Sequence, residues 1–159
     1  MKRNKMWKSI ILRKIQEIDK DKEIIKIFDE EEKKIKFSEC IIEHQTQNFE
    51  DEAYVRAYLV LKLIKFFGYP CEKIELEKSY SIGRKSSKKA RVDILVKDKE
   101  NNPFMLIECK TPETFNKEKD NAIKDQLFSL ANLEEIKPKY LVLYTVDVIE
   151  NEISDNTIV

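Results

Sequence analysis

Two consecutive runs in this chain suit the middle of a sheet, and both carry charge. The first is Arg91-Val92-Asp93-Ile94-Leu95-Val96; the second is Phe104-Met105-Leu106-Ile107-Glu108-Cys109, which continues into Lys110. The first run is β-branched and the second almost wholly apolar, and the polar segment Asp98 to Pro103 between them reads as a turn. Burying an unpaired carboxylate costs several kcal/mol, so a carboxylate in such a run needs a partner, usually a cation or a metal. Glu108 and Lys110 are two apart and project from one face of a strand. If the two runs pair, Asp93 reaches that face too, and the three converge at a strand end where the sheet opens.

Phosphodiester hydrolysis needs this inventory. Two carboxylates offer hard oxygen ligands to Mg²⁺. The metal polarises the phosphate and lowers the pKa of a bound water. A lysine beside them positions or deprotonates the attacking water and offsets negative charge. The main-chain carbonyl of Cys109 is a reasonable further ligand. The alternative reading makes Asp93 the start of a strand and Glu108 with Lys110 a surface ion pair. Three strongly apolar residues before Glu108 argue against it.

The periodicity around these runs predicts the rest of the fold. Residues 5 to 28 place Trp7, Ile10, Ile11, Ile15, Ile18, Ile24, Ile25, Ile27 and Phe28 at helical spacings, predicting one or two amphipathic helices. The acidic and basic run from Asp29 to Lys34 ends that extension, and 35 to 47 gives a mixed signal. A firm helix starts near Phe49 and stops before Gly68, with Tyr69-Pro70 preventing continuation. Strands follow at Lys73 to Ile82, Arg91 to Val96 and Phe104 to Cys109. A helix from about Lys117 to Glu134, capped by Asn116, leads to a last strand at Tyr140 to Val146. The order is α-β-β-β-α-β after a helical N-terminal extension. A mixed central sheet flanked by helices, in the α/β class, is the natural packing. The boundaries are an extension at 1–48 and a core at 49–159.

Composition removes several alternatives. Thirty basic and thirty acidic side chains cancel, which neither supports nor excludes nucleic acid, so clustering decides. Five cations, Arg84, Lys85, Lys88, Lys89 and Arg91, crowd the loop just before Asp93, which suits phosphate-backbone contact without sequence reading. No apolar stretch is long enough to span a membrane, and the apolar run after the basic start is too short for a signal peptide. The chain therefore reads as soluble and cytoplasmic. Three cysteines at wide spacings argue against a disulfide framework and a zinc knuckle, and one histidine excludes a site needing two.

Asp93 followed by Glu108-Cys109-Lys110 resembles the PD-(D/E)xK nuclease motif. The wider pattern is similar to the N-terminal nuclease domain of type I restriction enzyme R subunits and related methylase-linked proteins. In that family a helix carrying Glu-x-x-Val-Arg leads to Gly-Tyr-Pro and then to a strand with an acidic residue. Here the same order reads Glu52-Ala53-Tyr54-Val55-Arg56, Gly68-Tyr69-Pro70 and Ile74-Glu75-Leu76-Glu77. The resemblance spans about residues 50 to 146.

It implies a restriction-endonuclease-like core and a Mg²⁺-dependent DNA endonuclease, with Mn²⁺ as a substitute. Asp93 and Glu108 stand where that family has metal ligands, Lys110 where it has its catalytic lysine, and Glu52 where a helix acid approaches the metal. Gln126 resembles its Gln-x-x-x-Tyr helix motif, although Leu130 stands where tyrosine is usual. Val92 replaces the proline before the aspartate. Double-stranded DNA and other parts of a restriction system, a helicase or a methylase, are the implied partners. The alternatives are a catalytically inactive DNA- or partner-binding module of the same fold and a dimeric, structure-selective resolvase. The end at Asn156 to Val159, soon after the last core strand, reads as a fragment or a small stand-alone nuclease. On residues alone, Glu52 and Arg56 also fit an i,i+4 ion pair, and Glu77 the polar face of a strand.

Overall fold

The computed structural model describes residues 3–45, 49–82, 88–121, 127–134 and 137–159. The elements run α1 (Arg3–Ile18), β1 (Ile25–Asp29), β2 (Lys34–Phe37), β3 (Ile42–Glu43), α2 (Asp51–Lys65), a 3₁₀ turn (Cys71–Lys73) and β4 (Ile74–Ile82). They continue as β5 (Lys88–Lys97), β6 (Pro103–Cys109), α3 (Pro112–Asn121), α4 (Phe128–Asn132), β7 (Tyr140–Ile149) and β8 (Glu152–Ile158). Six strands form one mixed sheet in the order β3-β4-β5-β6-β7-β8, and β1 pairs with β2 as a separate ribbon. The β3–β4 and β6–β7 pairs are parallel, the rest antiparallel. Among the described residues no helix is long and apolar enough to cross a membrane.

Helix α2 lies between the sheet and α1, which is why its apolar surface is so broad. Val55, Ala57, Val60 and Leu61 are all fully buried. Their neighbours are Trp7, Ile11 and Ile15 of α1 on one side and Ile74, Ile94, Ile107 and Tyr144 of the sheet on the other. The opposite sheet face buries Val92, Leu95, Leu106 and Leu143 against Phe115 of α3 and Leu130 and Ala131 of α4.

The structure corrects the reading of 5–28 as helix throughout. Helix α1 stops at Ile18, and buried Asp19 turns the chain: its carboxylate accepts hydrogen bonds from the backbone N–H groups of Glu23, Ile24 and Ile25 at 2.8–3.0 Å. The isoleucines beyond it belong to the β1–β2 ribbon, with Ile25 opposite Phe37. The later helix also starts earlier than periodicity predicts. Pro112 opens α3, where a missing N–H costs nothing, and Thr111 Oγ1 accepts from the Thr114 N–H at 3.2 Å. Thr111 is therefore the capping side chain, and Asn116 lies within the helix.

A second correction concerns the cysteines. Cys40 and Cys71 are disulfide-bonded, with Cα atoms 5.6 Å apart, and Cys109 alone is free and buried. The parallel pairing of β3 with β4 brings the approach to one strand beside the approach to the other. Linear spacing cannot show a contact made across an intervening helix. Under non-reducing conditions Cys40→Ser is expected to lower the stability by roughly 2–4 kcal/mol. Dithiothreitol should bring the native chain down to the same melting midpoint; a midpoint indifferent to both changes would show that the bond does not form in solution.

Candidate active site

Strands β5 and β6 part company at Asp93. Their ladder runs from Lys97↔Pro103 to Ile94↔Ile107, whereas β6 stays with β7 through Cys109↔Tyr144 and the Lys110 N–H donates to the Tyr144 carbonyl at 2.9 Å. Across the opening, Asp93 Oδ2 accepts the backbone N–H of Cys109 at 2.7 Å. The carboxylate thus takes a place that a ladder bond would otherwise fill.

The β4–β5 pair is also irregular here. Leu76 and Ile94 pack on the α2 side, whereas Tyr80 and Val92 pack on the α3–α4 side. Residues two apart normally share a face. Both strands therefore switch faces between the pairs Leu76↔Ile94 and Lys78↔Val92, the interval in which Glu77 and Asp93 fall outside the ladder. Glu77 carries the switch with a φ of +57°. For a residue with a Cβ that conformation costs about 1–2 kcal/mol.

The outcome is a cavity of about 220 Å³ lined by Glu50, Glu52, Arg56, Glu77, Arg91, Asp93 and Glu108. Helix α2 supplies Glu52 and, one turn later, Arg56, with Glu50 at its N-cap, while β4, β5 and β6 supply Glu77, Asp93 and Glu108. Lys110, just past β6, places its Nζ 3.9 Å from Glu108 Oε1 and 3.3 Å from Glu118 Oε2 of α3. Glu108 and Lys110 are buried to 8% and 7% exposure, which excludes an exposed surface ion pair. A larger hollow of about 660 Å³ lies between α1, the start of α3 and the β7–β8 turn, away from these groups.

Crowding sets the electrostatics. Burial, then the charge of Asp93, pushes the Glu52 carboxyl up to about 7 even though Lys110 opposes the shift. Burial and Asp93 likewise hold Glu108 well above the ordinary carboxylate range. Burial lowers Lys110, but Glu108 and Glu52 outweigh it and the net shift is upward, so the side chain is an ammonium. Each raised carboxyl keeps its proton in the folded chain at a pH where the unfolded chain has lost it. Stability therefore falls as pH rises from the ordinary value of 4.5 through about 7 for Glu52, and further for Glu108. In chelator the melting temperature is expected to drop between pH 5.5 and 8, and to drop less in Glu108→Gln. An equal drop in both proteins would contradict this account.

The donor set suits a hard divalent cation: carboxylate oxygens and a main-chain carbonyl, with no soft ligand exposed. Glu108 Oε2 is buried with no hydrogen-bond partner, an orphan acceptor of the kind a cation satisfies. Among the described residues no group of three His, Cys, Asp or Glu is already assembled around one point to hold a metal ion. Arg56 stands among these acids instead, its Nη1 2.6 Å from Glu77 Oε1 and 3.5 Å from Asp93 Oδ1. Arg56 thus crosses to the sheet in the ion pairs it makes, and Glu77 is buried to 7% exposure rather than part of a solvated strand face.

Of the residues singled out from sequence, Glu52, Asp93, Glu108 and Arg91 line one cavity, with Lys110 beside it. Arg91 is exposed, bonds Gln45 at 3.2 Å and faces Glu77 at 3.6 Å. Lys88 and Lys89 open β5 opposite Ile82 and Ser81. Arg84, Lys85 and Gln126 lie outside the described residues. Leu130 is buried at 1% exposure and serves the core. Sequence reasoning overlooked Arg56 and Glu77 as members of the cluster, and Glu118 as the partner of Lys110.

The groups that meet here, from Glu52 on α2 to Lys110 after β6, all fall within one segment of known kind. No curated protein matches the chain. A family profile described as type I restriction enzyme R protein N terminus (HSDR_N) matches residues 51–145, more than half of the chain, and the chain belongs to that family.

Proposed function

We propose that this chain is a Mg²⁺-dependent endodeoxyribonuclease domain of the PD-(D/E)xK type, with a restriction-endonuclease-like core. It would be the nuclease part of a type I-like restriction system. The observation that carries the proposal is the convergence of Glu52, Asp93 and Glu108 on one cavity with Lys110 beside it. Membership in the restriction-enzyme R family supports the same reading. Asp93, Glu108, the Cys109 carbonyl and Glu52 are the groups that would hold Mg²⁺, with Mn²⁺ as a substitute. Bound there, the ion supplies Lewis-acid polarisation of the scissile phosphate and a more acidic water.

The chain's own residues divide the remaining work. Asp93 lines the cavity and is fixed by the Cys109 N–H, which holds Oδ2, while Oδ1 lies 3.5 Å from Arg56 Nη1. Lys110, charged and held between Glu108 and Glu118, donates hydrogen bonds to the attacking water or to a phosphate oxygen rather than accepting a proton at rest. Arg91, with the basic segment that precedes it, suits the DNA backbone. Double-stranded DNA is the proposed substrate, and helicase or methylase subunits are the proposed partners. Apart from β3, which joins the central sheet, residues 1–48 act in this reading as an extension packed on a core at 49–159, in a protein of the cytoplasm.

The test is supercoiled plasmid DNA incubated with the purified chain in Mg²⁺, Mn²⁺ or chelator. Nicking in the metals alone is the expected result. A second reading, an inactive binding module of the same fold, draws on Leu130, whose buried apolar side chain cannot act as the usual tyrosine would. Calorimetric titration with Mn²⁺ separates the two, since a retired site should bind none.

A further inference from the structure

Two described cations are buried against the acid cluster, Lys110 at 7% exposure and Arg56 at 5%, and the proposed chemistry gives Arg56 no task. Its Nη1 donates to Glu77 Oε1 at 2.6 Å and stands 3.5 Å from Asp93 Oδ1. Its Nε and Nη2 are buried without hydrogen-bond partners. A guanidinium satisfied at one nitrogen is a poor structural clamp, because bidentate pairing is what makes arginine strong in that role. Glu77, its main partner, is the residue held at φ +57° at the point where β4 changes face. Strain retained in a folded chain is a pointer to function at that place.

We propose that Arg56 and Glu77 form a positioning pair that parks a positive charge beside Asp93 without letting it close on Asp93. This rests on the reading of Asp93 and Glu108 as metal ligands. Parked, the guanidinium offsets part of the acid cluster's repulsion when no metal is bound. Because Glu77 takes the shorter contact, Arg56 holds Asp93 Oδ1 only at 3.5 Å, a looser contact that an arriving cation can displace. Glu77 touches no reacting group in this scheme, and neither does Arg56; both act through Asp93.

The pair makes a prediction of opposite signs. Glu77→Gln releases Arg56 onto Asp93, and Mn²⁺ binding to the full chain should weaken by roughly tenfold, on the order of one added charge a few ångströms away. Arg56→Gln removes the competing charge, and Mn²⁺ should bind several-fold tighter. A merely structural role would weaken binding in both. The double variant, lacking both charges, should bind at least as tightly as the native chain, which keeps the test open if Arg56→Gln alone does not fold. Weaker binding in both single variants, no change in either, or a double variant no better than Glu77→Gln overturns the proposal.

Melting in chelator supplies a readout that needs no metal. Arg56→Gln should lower the melting temperature by roughly 10 °C, because it leaves carboxylates buried and uncompensated. Adding Asp93→Asn should recover part of that loss. Should the native chain and Asp93→Asn alike bind no Mn²⁺, the metal-ligand reading fails. The melts still decide whether Arg56 compensates Asp93, and purely additive losses would show that it does not.

Discussion

Asp93→Asn and Lys110→Ala are each expected to reduce Mg²⁺-dependent DNA nicking by about a thousandfold or more, with the fold intact. About 4 kcal/mol of lost transition-state stabilisation corresponds to that factor, and a metal site with its neighbouring lysine supplies several kcal/mol. Asparagine is the sharper change at Asp93. It keeps an oxygen to accept the Cys109 N–H, bonded at 2.7 Å in the native chain, while removing the charge a cation needs. Lys110→Ala leaves the backbone bond from Lys110 N–H to Tyr144 in place, so the strand end should hold. Neither change opens a cavity in the core, and circular dichroism in chelator should match the native chain. Nicking by either purified variant at the native rate would remove the mechanism. A loss of helical signal would mean that the variant reports on folding instead.

The candidate site was legible to the extent that its residues are written as charge inside apolar strands. Asp93, Glu108 and Lys110 stand out because burial makes each of them costly, and the ordered Glu52 and Gly68-Tyr69-Pro70 gave them a frame. Arg56 and Glu77 did not stand out, for a geometric reason. Their partnership depends on both β4 and β5 switching faces at one point, and alternation along a strand presumes that no switch occurs. The fold divides in the same way. Helix α2 and strands β4 to β7 follow from periodicity, since each buries a face at its own repeat. Strand β1 was read as helix because its isoleucines fall at spacings that suit either structure, and only the Asp19 turn decides; β2 falls where the sequence signal is mixed. Strand β8 was missed altogether. Its hairpin turns on Glu150 and Asn151, at φ +50° and +66°, with no glycine to announce a two-residue turn.

That unannounced strand leads to the largest expected effect on stability. Tyr144, on β7, is 2% exposed and among the bulkiest fully enclosed side chains in the molecule, packed in the cluster beneath α2. Its hydroxyl donates to Asp155 Oδ1 on β8 at 2.6 Å, and Lys62 of α2 bonds the same aspartate. Burial first, then the Asp155 carboxylate, holds the hydroxyl protonated, so it always donates. Tyr144→Ala removes a buried ring in a place walled by α2 and the sheet, and should cost about 3–5 kcal/mol. For a chain of 159 residues that lowers the melting temperature by roughly 10 °C or more. Tyr144→Phe keeps the ring and leaves Asp155 to Lys62, so about 1 kcal/mol is expected. The ordering separates two accounts of how β8 docks. If packing dominates, phenylalanine retains most of the stability; if the polar link dominates, phenylalanine falls as far as alanine. The backbone carbonyl of Tyr144 also receives the Lys110 N–H, so loosening this position should lower nicking in parallel with stability and recover it on cooling. Thermal melts of the two variants, set beside nicking rates at two temperatures, decide between them.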